Sequence, residues 1–190
     1  MKAKEFHLTS DRLIVTDPGY DLDTAGMVGL GAIVSSCLPG IWSISFATHR
    51  PAHRGWDLPQ SLVAVHTDTG SPAESSWRPK AKELGGDGAM IGVFDAAHFH
   101  DASLVPVEIQ WTFDGGPADP NDLWYSWVCE LAKDSHYATF AHGVVVSWDL
   151  GASLDVALDS SGVVTAIRLT FHDIQPQPFQ GDIPPTFYVK

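Results

Sequence analysis

The chain has 190 residues, 44% of them hydrophobic, with seven tryptophans and nine phenylalanines: enough for one domain with a real core, and too apolar for disorder. Its formal charge of -12 gives a surface that repels nucleic-acid phosphate and anionic lipid, so neither is expected as a direct partner. No stretch approaches the roughly 20 apolar residues of a membrane helix, and "MKAKEFHLTS" holds no apolar run of signal-peptide length, so a cytoplasmic protein is expected.

Along the chain, period-two alternation dominates, the mark of half-buried strands. The first such run is "DRLIVT", which delivers Asp17 and Pro18 into "DPGYDLDTAG". There Asp21, Asp23 and Gly26 imitate the start of a calcium loop. However, Ala25 stands at its fifth position and Ala32 at its twelfth, where a bidentate glutamate is required. The D-x-D-x-T order of aspartyl-phosphate enzymes is not met either. Asp17 is therefore expected to bond local backbone amides in a proline-glycine turn.

"GAIVSS" is the next predicted strand. After Pro39 and Gly40, "GIWSISFAT" sets Trp42, Ile44 and Phe46 on one side and Ser43 and Ser45 on the other. The polar loop "RPAHRGWDLPQ" carries Trp56 and Asp57 and leads into the strand "SLVAVHT". From Thr67 to Gly86 the chain is polar and rich in Pro and Gly, which predicts a long surface loop with Trp77 in or beside it. Within it, "ESSWRPKAKELGG" is a weaker helix candidate, interrupted by Pro79.

"GDGAMIGVFDAAHFHD" then gathers Asp87, Asp95 and Asp101 around His98 and His100. On a strand the two histidines would share a face, as a two-histidine metal site needs, with Asp95, Asp101, His136 or His142 completing it. The binuclear zinc run H-x-H-x-D-H fails at "HFHDAS". The favoured expectation is plainer: Asp95 closes a strand and the histidines sit on a polar face. "VPVEIQWTFD" follows as a strand through Val107, Ile109, Trp111 and Phe113.

One helix is predicted over residues 120–133. Asp119 caps it, Pro120 suits its first position, and Leu123, Trp124, Trp127, Val128 and Leu131 fall on one face. Beyond it come "GVVVSW", with Trp148 and Asp149, and then "SLDVALD" and "GVVTAIRLTFHD", joined as a hairpin by "DSSG". "TFYVK" is the last strand. About ten short strands with one covering helix predict a mainly β domain over 1–190, an antiparallel β-sandwich or open barrel. "PGIWSISF … SLVAVHT" and "LGASLDVAL … VVTAIRLTF" echo one another, which suggests pseudo-symmetry within a sheet.

Cys37 and Cys129 are too few for a disulfide framework and match no zinc spacing. Cys129, beside Glu130 in the helix, reads as a structural thiol. No G-x-S-x-G elbow, Walker loop or dinucleotide glycine pattern occurs.

Several blocks, "LTSDRLIVTDP", "LPGIWSISF" leading to "SLVAVHT", "GDGAMIGVFD" and "SWDLGASLDVALDSSGVVTAIRLTF", together resemble the bacterial family called domain of unknown function 4241. The matching positions are Asp17 and Pro18, Pro39 and Gly40, Asp87 and Asp95, and Gly151 with Val156. The family's late Gly-Asp-Gly is replaced by Leu150-Gly151-Ala152, with Asp149 one step earlier, and its tyrosine positions hold Trp42 and Leu154. The resemblance implies a predominantly β single domain and no established activity. It includes Asp87 and Asp95 in the shared pattern but not His98 and His100, which favours the structural turn over the metal site.

The expectation for function is a non-enzymatic module that binds a protein partner, a basic one such as a toxin that it neutralises, through Trp56, Asp57, Trp77, Trp148 and Asp149. No cofactor is expected. The rivals are a metal-dependent hydrolase or small-ligand enzyme built on Asp87, Asp95, His98, His100 and Asp101, and a structural or oligomerisation domain.

Overall fold

The computed structural model describes residues 4–20, 31–49, 58–84, 90–106, 120–133, 135, 137–147 and 151–172. These contain eleven strands: β1 (Lys4–Leu8), β2 (Arg12–Thr16), β3 (Ala32–Ser35), β4 (Gly40–His49), β5 (Leu58–His66), β6 (Trp77–Leu84), β7 (Met90–Asp95), β8 (Tyr137–Phe140), β9 (Gly143–Ser147), β10 (Ala152–Leu158) and β11 (Val164–Phe171). One α-helix, α1 (Pro120–Ala132), begins on its proline, whose missing N–H costs nothing at that position. No helix among the described residues is long and apolar enough to cross a membrane.

The strands form two antiparallel sheets. A six-stranded sheet runs β1-β4-β5-β11-β10-β6, and a five-stranded sheet runs β3-β2-β7-β9-β8. Alternation in the sequence fixes which face each residue takes. Phe6, Leu8, Trp42, Ile44, Leu62, Ala64, Leu154 and Leu169 of the larger sheet meet Leu13, Val15, Ile91, Val93, Val144 and Val146 of the smaller one in a single buried core. The expected sandwich is thus present. At one corner the sheets are also tied together, where Val164 donates to Ser36 O and Leu38 donates to Val164 O.

The helix supplies a third layer. Met90, Phe94 and Val145, on the opposite face of the five-stranded sheet, pack with Trp124, Trp127, Val128 and Ala132 of α1 in a second core. Phe94 is its centre, with Trp124 edge-on at 5.4 Å. Its ring lies so close over the strand backbone that a Cβ at Gly92 would stand 2.1 Å from its Cζ, and one at Gly143 would stand 2.9 Å from its Cδ1. These two glycines make the slot that the ring fills.

The internal echo has a structural counterpart. The hairpins β4-β5 and β10-β11 lie side by side, with β5 and β11 as antiparallel neighbours in the middle of the larger sheet. Reading the order outward from that pair gives β4 then β1 on one side and β10 then β6 on the other, the arrangement a local two-fold would produce.

Two expectations require correction. Residues 74–84 are not a helix: after a single 3-10 turn at Glu74–Ser76, Trp77–Leu84 form edge strand β6, paired with β10. Pro79, read as a helix breaker, sits on an outer strand, where a missing N–H is tolerated. The long loop expected from Thr67 to Gly86 is accordingly interrupted by a strand. The strands predicted at "VPVEIQWTFD" and "TFYVK" lie outside the described residues from Val107 and from Asp173 onward, as does the cap at Asp119.

Candidate functional site

Three turns converge at one end of the five-stranded sheet: β1 to β2, β8 to β9, and the chain leaving β7. Backbone bonds interlace them. Asp95 N–H donates to His142 O at 2.9 Å, His7 N–H to Ala141 O at 2.8 Å, and Ala96 N–H to Arg12 O at 3.0 Å.

Asp95 sits at the centre with no exposed surface. Its Oδ2 accepts from the Thr9 amide at 2.6 Å and the Thr9 hydroxyl at 2.5 Å. Its Oδ1 accepts from the Ser10 hydroxyl at 2.6 Å and the Ala97 amide at 3.1 Å. Burial alone would raise the pKa of this carboxyl. The bonds from Ser10, Thr9 and Ala97 outweigh burial and hold it below the ordinary aspartate value. Four donors also occupy the four lone-pair positions of a carboxylate, so Asp95 serves first as the anchor of the three turns.

The histidines around it take different directions. His142 Nδ1 lies 3.0 Å from His7 O. A carbonyl can only accept, so that nitrogen carries a proton and donates. The same Nδ1 is 3.9 Å from Asp95 Oδ2. The His98 ring stacks on His142 at 3.8 Å between centroids, and its Nδ1 faces Asp101 Oδ2 at 3.4 Å. Asp101 also accepts from the Ser103 amide at 2.9 Å, capping the short turn Ala102–Leu104. Bonds to Ser103 and then to His98 hold its carboxyl below the ordinary value despite some burial.

His98 and His100 do not share a strand face, which corrects the spacing argument. Strand pairing stops at Asp95, whose side chain takes the Ala97 amide while its carbonyl accepts from His98 N–H. The chain therefore turns before the first histidine. His100 adopts a positive φ of 61° and points away, its Nε2 donating to Pro18 O at 2.9 Å and its ring lying on Phe99 at 4.1 Å. One ligand atom from each of Asp95, His98 and His142 does fall within 4.8 Å of the others. The metal-ligating set that the fold assembles thus exchanges His100 for His142, and Asp101 stands behind His98.

The other singled-out residues are mostly architectural. Asp17 is buried and its Oδ1 accepts the Gly19 amide at 2.8 Å, a local turn bond of the kind expected. Pro39 and Gly40 hold His66: its Nδ1 accepts from Asp68 N–H at 3.2 Å, so Nε2 carries the proton and donates to Pro39 O at 3.0 Å. Gly40 has a φ of 135°, and a Cβ there would stand 2.4 Å from His66 Nε2, so only glycine fits. Gly151 leads into β10, its carbonyl accepting from His172 N–H at 2.9 Å. Trp77 opens β6 and carries the Arg168 guanidinium 4.7 Å above its ring. Arg168 in turn donates to Asp155 at 3.0 Å and to Glu74 at 2.7 Å. Trp56, Asp57, Asp87, His136, Trp148 and Asp149 lie outside the described residues.

The thiols and the tyrosine near the helix are unreactive by environment. Burial pushes the Cys37 thiol up to about 12, and it also raises Cys129. Tyr125, beside Cys129, is pushed up to about 12 by burial and by its contact with that sulfur. Thr9 and Ser10, which hold the central carboxylate, belong to none of the candidate-site motifs; their signal is "LTSD", a hydroxyl pair at a strand junction.

No protein-family model, curated protein or solved structure matches the chain.

Proposed function

We propose that this chain is a non-enzymatic cytoplasmic binding module that docks a basic protein, in the manner of an inhibitor or immunity protein. The observation that carries the reading is the formal charge of -12 on a folded β-sandwich. Charge of one sign accelerates encounter with an oppositely charged partner, while desolvated aromatics at the contact slow its release. Trp56, Asp57, Trp77, Trp148 and Asp149 are the proposed contact residues.

The test is capture by the immobilised chain from a lysate of its native cell, at low and at high salt. A basic protein retained at low salt, released at high salt and bound more slowly by Asp57→Lys and Asp149→Lys variants is the expected result. Retention of no basic protein, or of one insensitive to both salt and these variants, overturns the reading.

A further inference from the structure

We infer that Asp95, His98 and His142 form a binding site for one divalent ion of the zinc class. Three ligand atoms, one from each side chain, already lie within 4.8 Å of one another, although the residues come from two different turns. Two imidazoles and one carboxylate suit zinc or cobalt, whereas calcium and magnesium demand all-oxygen shells. Water completes a tetrahedral set, as in zinc sites with three protein ligands.

The surroundings of the rings favour the same assignment. Ligating histidines characteristically give their second nitrogen to a backbone carbonyl or a carboxylate, which fixes tautomer and orientation. His142 has this arrangement through Nδ1 and His7 O at 3.0 Å, and His98 has it through Nδ1 and Asp101 Oδ2 at 3.4 Å. With those bonds kept, Nε2 is the nitrogen of each ring open to a cation. Because His142 approaches Asp95 Oδ2 through Nδ1 at 3.9 Å and the two rings stack at 3.8 Å, the rings must tilt apart for both Nε2 atoms to face one ion. His100 does not offer its Nε2, which is bound to Pro18 O.

The saturated carboxylate of Asp95 is the obstacle, and Ser10 removes it. The single proton of the Ser10 hydroxyl has two acceptors within reach, Asp95 Oδ1 at 2.6 Å and Arg12 O at 2.9 Å. Turning the hydroxyl to Arg12 O frees one lone pair on Oδ1 for a cation while Thr9 and Ala97 keep their bonds. The ion then ties the turn after β7 to the turn between β8 and β9. This role goes beyond the binding-module reading and requires no catalysis.

The chelator-stripped full chain, titrated with Co²⁺ and followed by visible absorption, tests the site, with Zn²⁺ as competitor. The expected result is one equivalent bound, with the intense bands of a low-coordinate nitrogen and oxygen site that Zn²⁺ abolishes. His98→Ala and His142→Ala should each weaken binding by ~10-fold or more, and His100→Ala should leave it unchanged. Failure to bind one equivalent, or binding undiminished in both the His98 and His142 variants, overturns the inference. If either alanine variant loses its β-sheet circular dichroism, the wild-type imidazole NMR signals decide. Selective loss of the His98 and His142 resonances on Co²⁺ addition supports the site, and loss confined to other histidines overturns it.

Discussion

Thr9 and Asp95 lie 86 positions apart, yet the amide and the hydroxyl of Thr9 both donate to the same carboxylate oxygen of Asp95, at 2.6 and 2.5 Å. The contact joins the turn after β1 to the end of β7 and so links a strand of each sheet. Asp95→Ala would leave the Thr9 amide and hydroxyl, the Ser10 hydroxyl and the Ala97 amide without their acceptor, with water able to reach the exposed Thr9 and Ala97. A loss of ~2 kcal/mol in folding stability is expected, the scale of hydrogen bonds to a charged group, because water can replace the carboxylate at the exposed donors. Urea denaturation checks it. A midpoint within experimental scatter of wild type would show that the carboxylate anchors nothing.

This anchor marks how far the sequence could be read. Strands β2, β7 and β9, buried on both faces, were legible as short apolar runs. Strands of the larger sheet were legible because they bury one face more than the other, so "GIWSISFAT" and "GVVTAIRLTF" show their pleat. The helix was legible for the same reason at a period of 3.6, with Trp124, Trp127 and Val128 buried. β6 was not, because an edge strand bears charges such as Lys80 and Lys82 along its length and shows no apolar stripe. The partnership of His98 with His142 was equally hidden. It depends on where β7 stops, at the turn that Asp95 makes with Ala97 and His98, and on Thr9, Ser10 and His142, whose closeness to that turn is a product of the whole fold.

Gly92 tests the slot under Phe94. A methyl group there would overlap the ring, 2.1 Å from Cζ, and the ring is held against Trp124 and Phe99. Gly92→Ala is expected to reduce stability by ~3 kcal/mol, the upper end of overpacking costs, and to lower the thermal midpoint accordingly. Adding Phe94→Leu should recover part of that loss, a coupling that independent sites would not show. Strict additivity of the two substitutions would refute the slot.

Asp159 supplies a pH dependence with a definite sign. Its Oδ1 accepts from the Ser161 amide at 2.8 Å, the Ser161 hydroxyl at 2.7 Å and the Val163 amide at 3.0 Å, shaping the turn between β10 and β11. Bonds from Ser161 and Val163 lower its pKa in the folded state. A carboxyl lowered on folding contributes its stabilisation fully above the unfolded value of about 3.9, and loses it as the pH falls through the folded value. Asp159→Asn keeps an acceptor oxygen but cannot titrate. Its urea midpoint should therefore fall less steeply than that of wild type between about pH 5 and pH 2.5. Parallel profiles would mean that this turn does not sense acid.

The two thiols give the most direct check on the interior. Cys37 lies in the core between the sheets, where its Sγ donates to Val34 O at 3.3 Å and burial raises its pKa to about 12. Thiolate is the reactive species, so at about pH 8 only about one Cys37 in ten thousand is ionised, before exclusion of reagent is counted. Cys129 is less enclosed, but burial raises it too, and its Sγ rests 3.6 Å from Met90 Sδ. An aromatic disulfide reagent should therefore label Cys129 slowly in the native protein. Cys37 should react no faster than the chain unfolds, and both should react at once in strong denaturant. Rapid stoichiometric labelling of Cys37 without denaturant would mean that the core between the sheets opens readily, and the packing of Leu13, Val34 and Trp42 in that core would have to be abandoned.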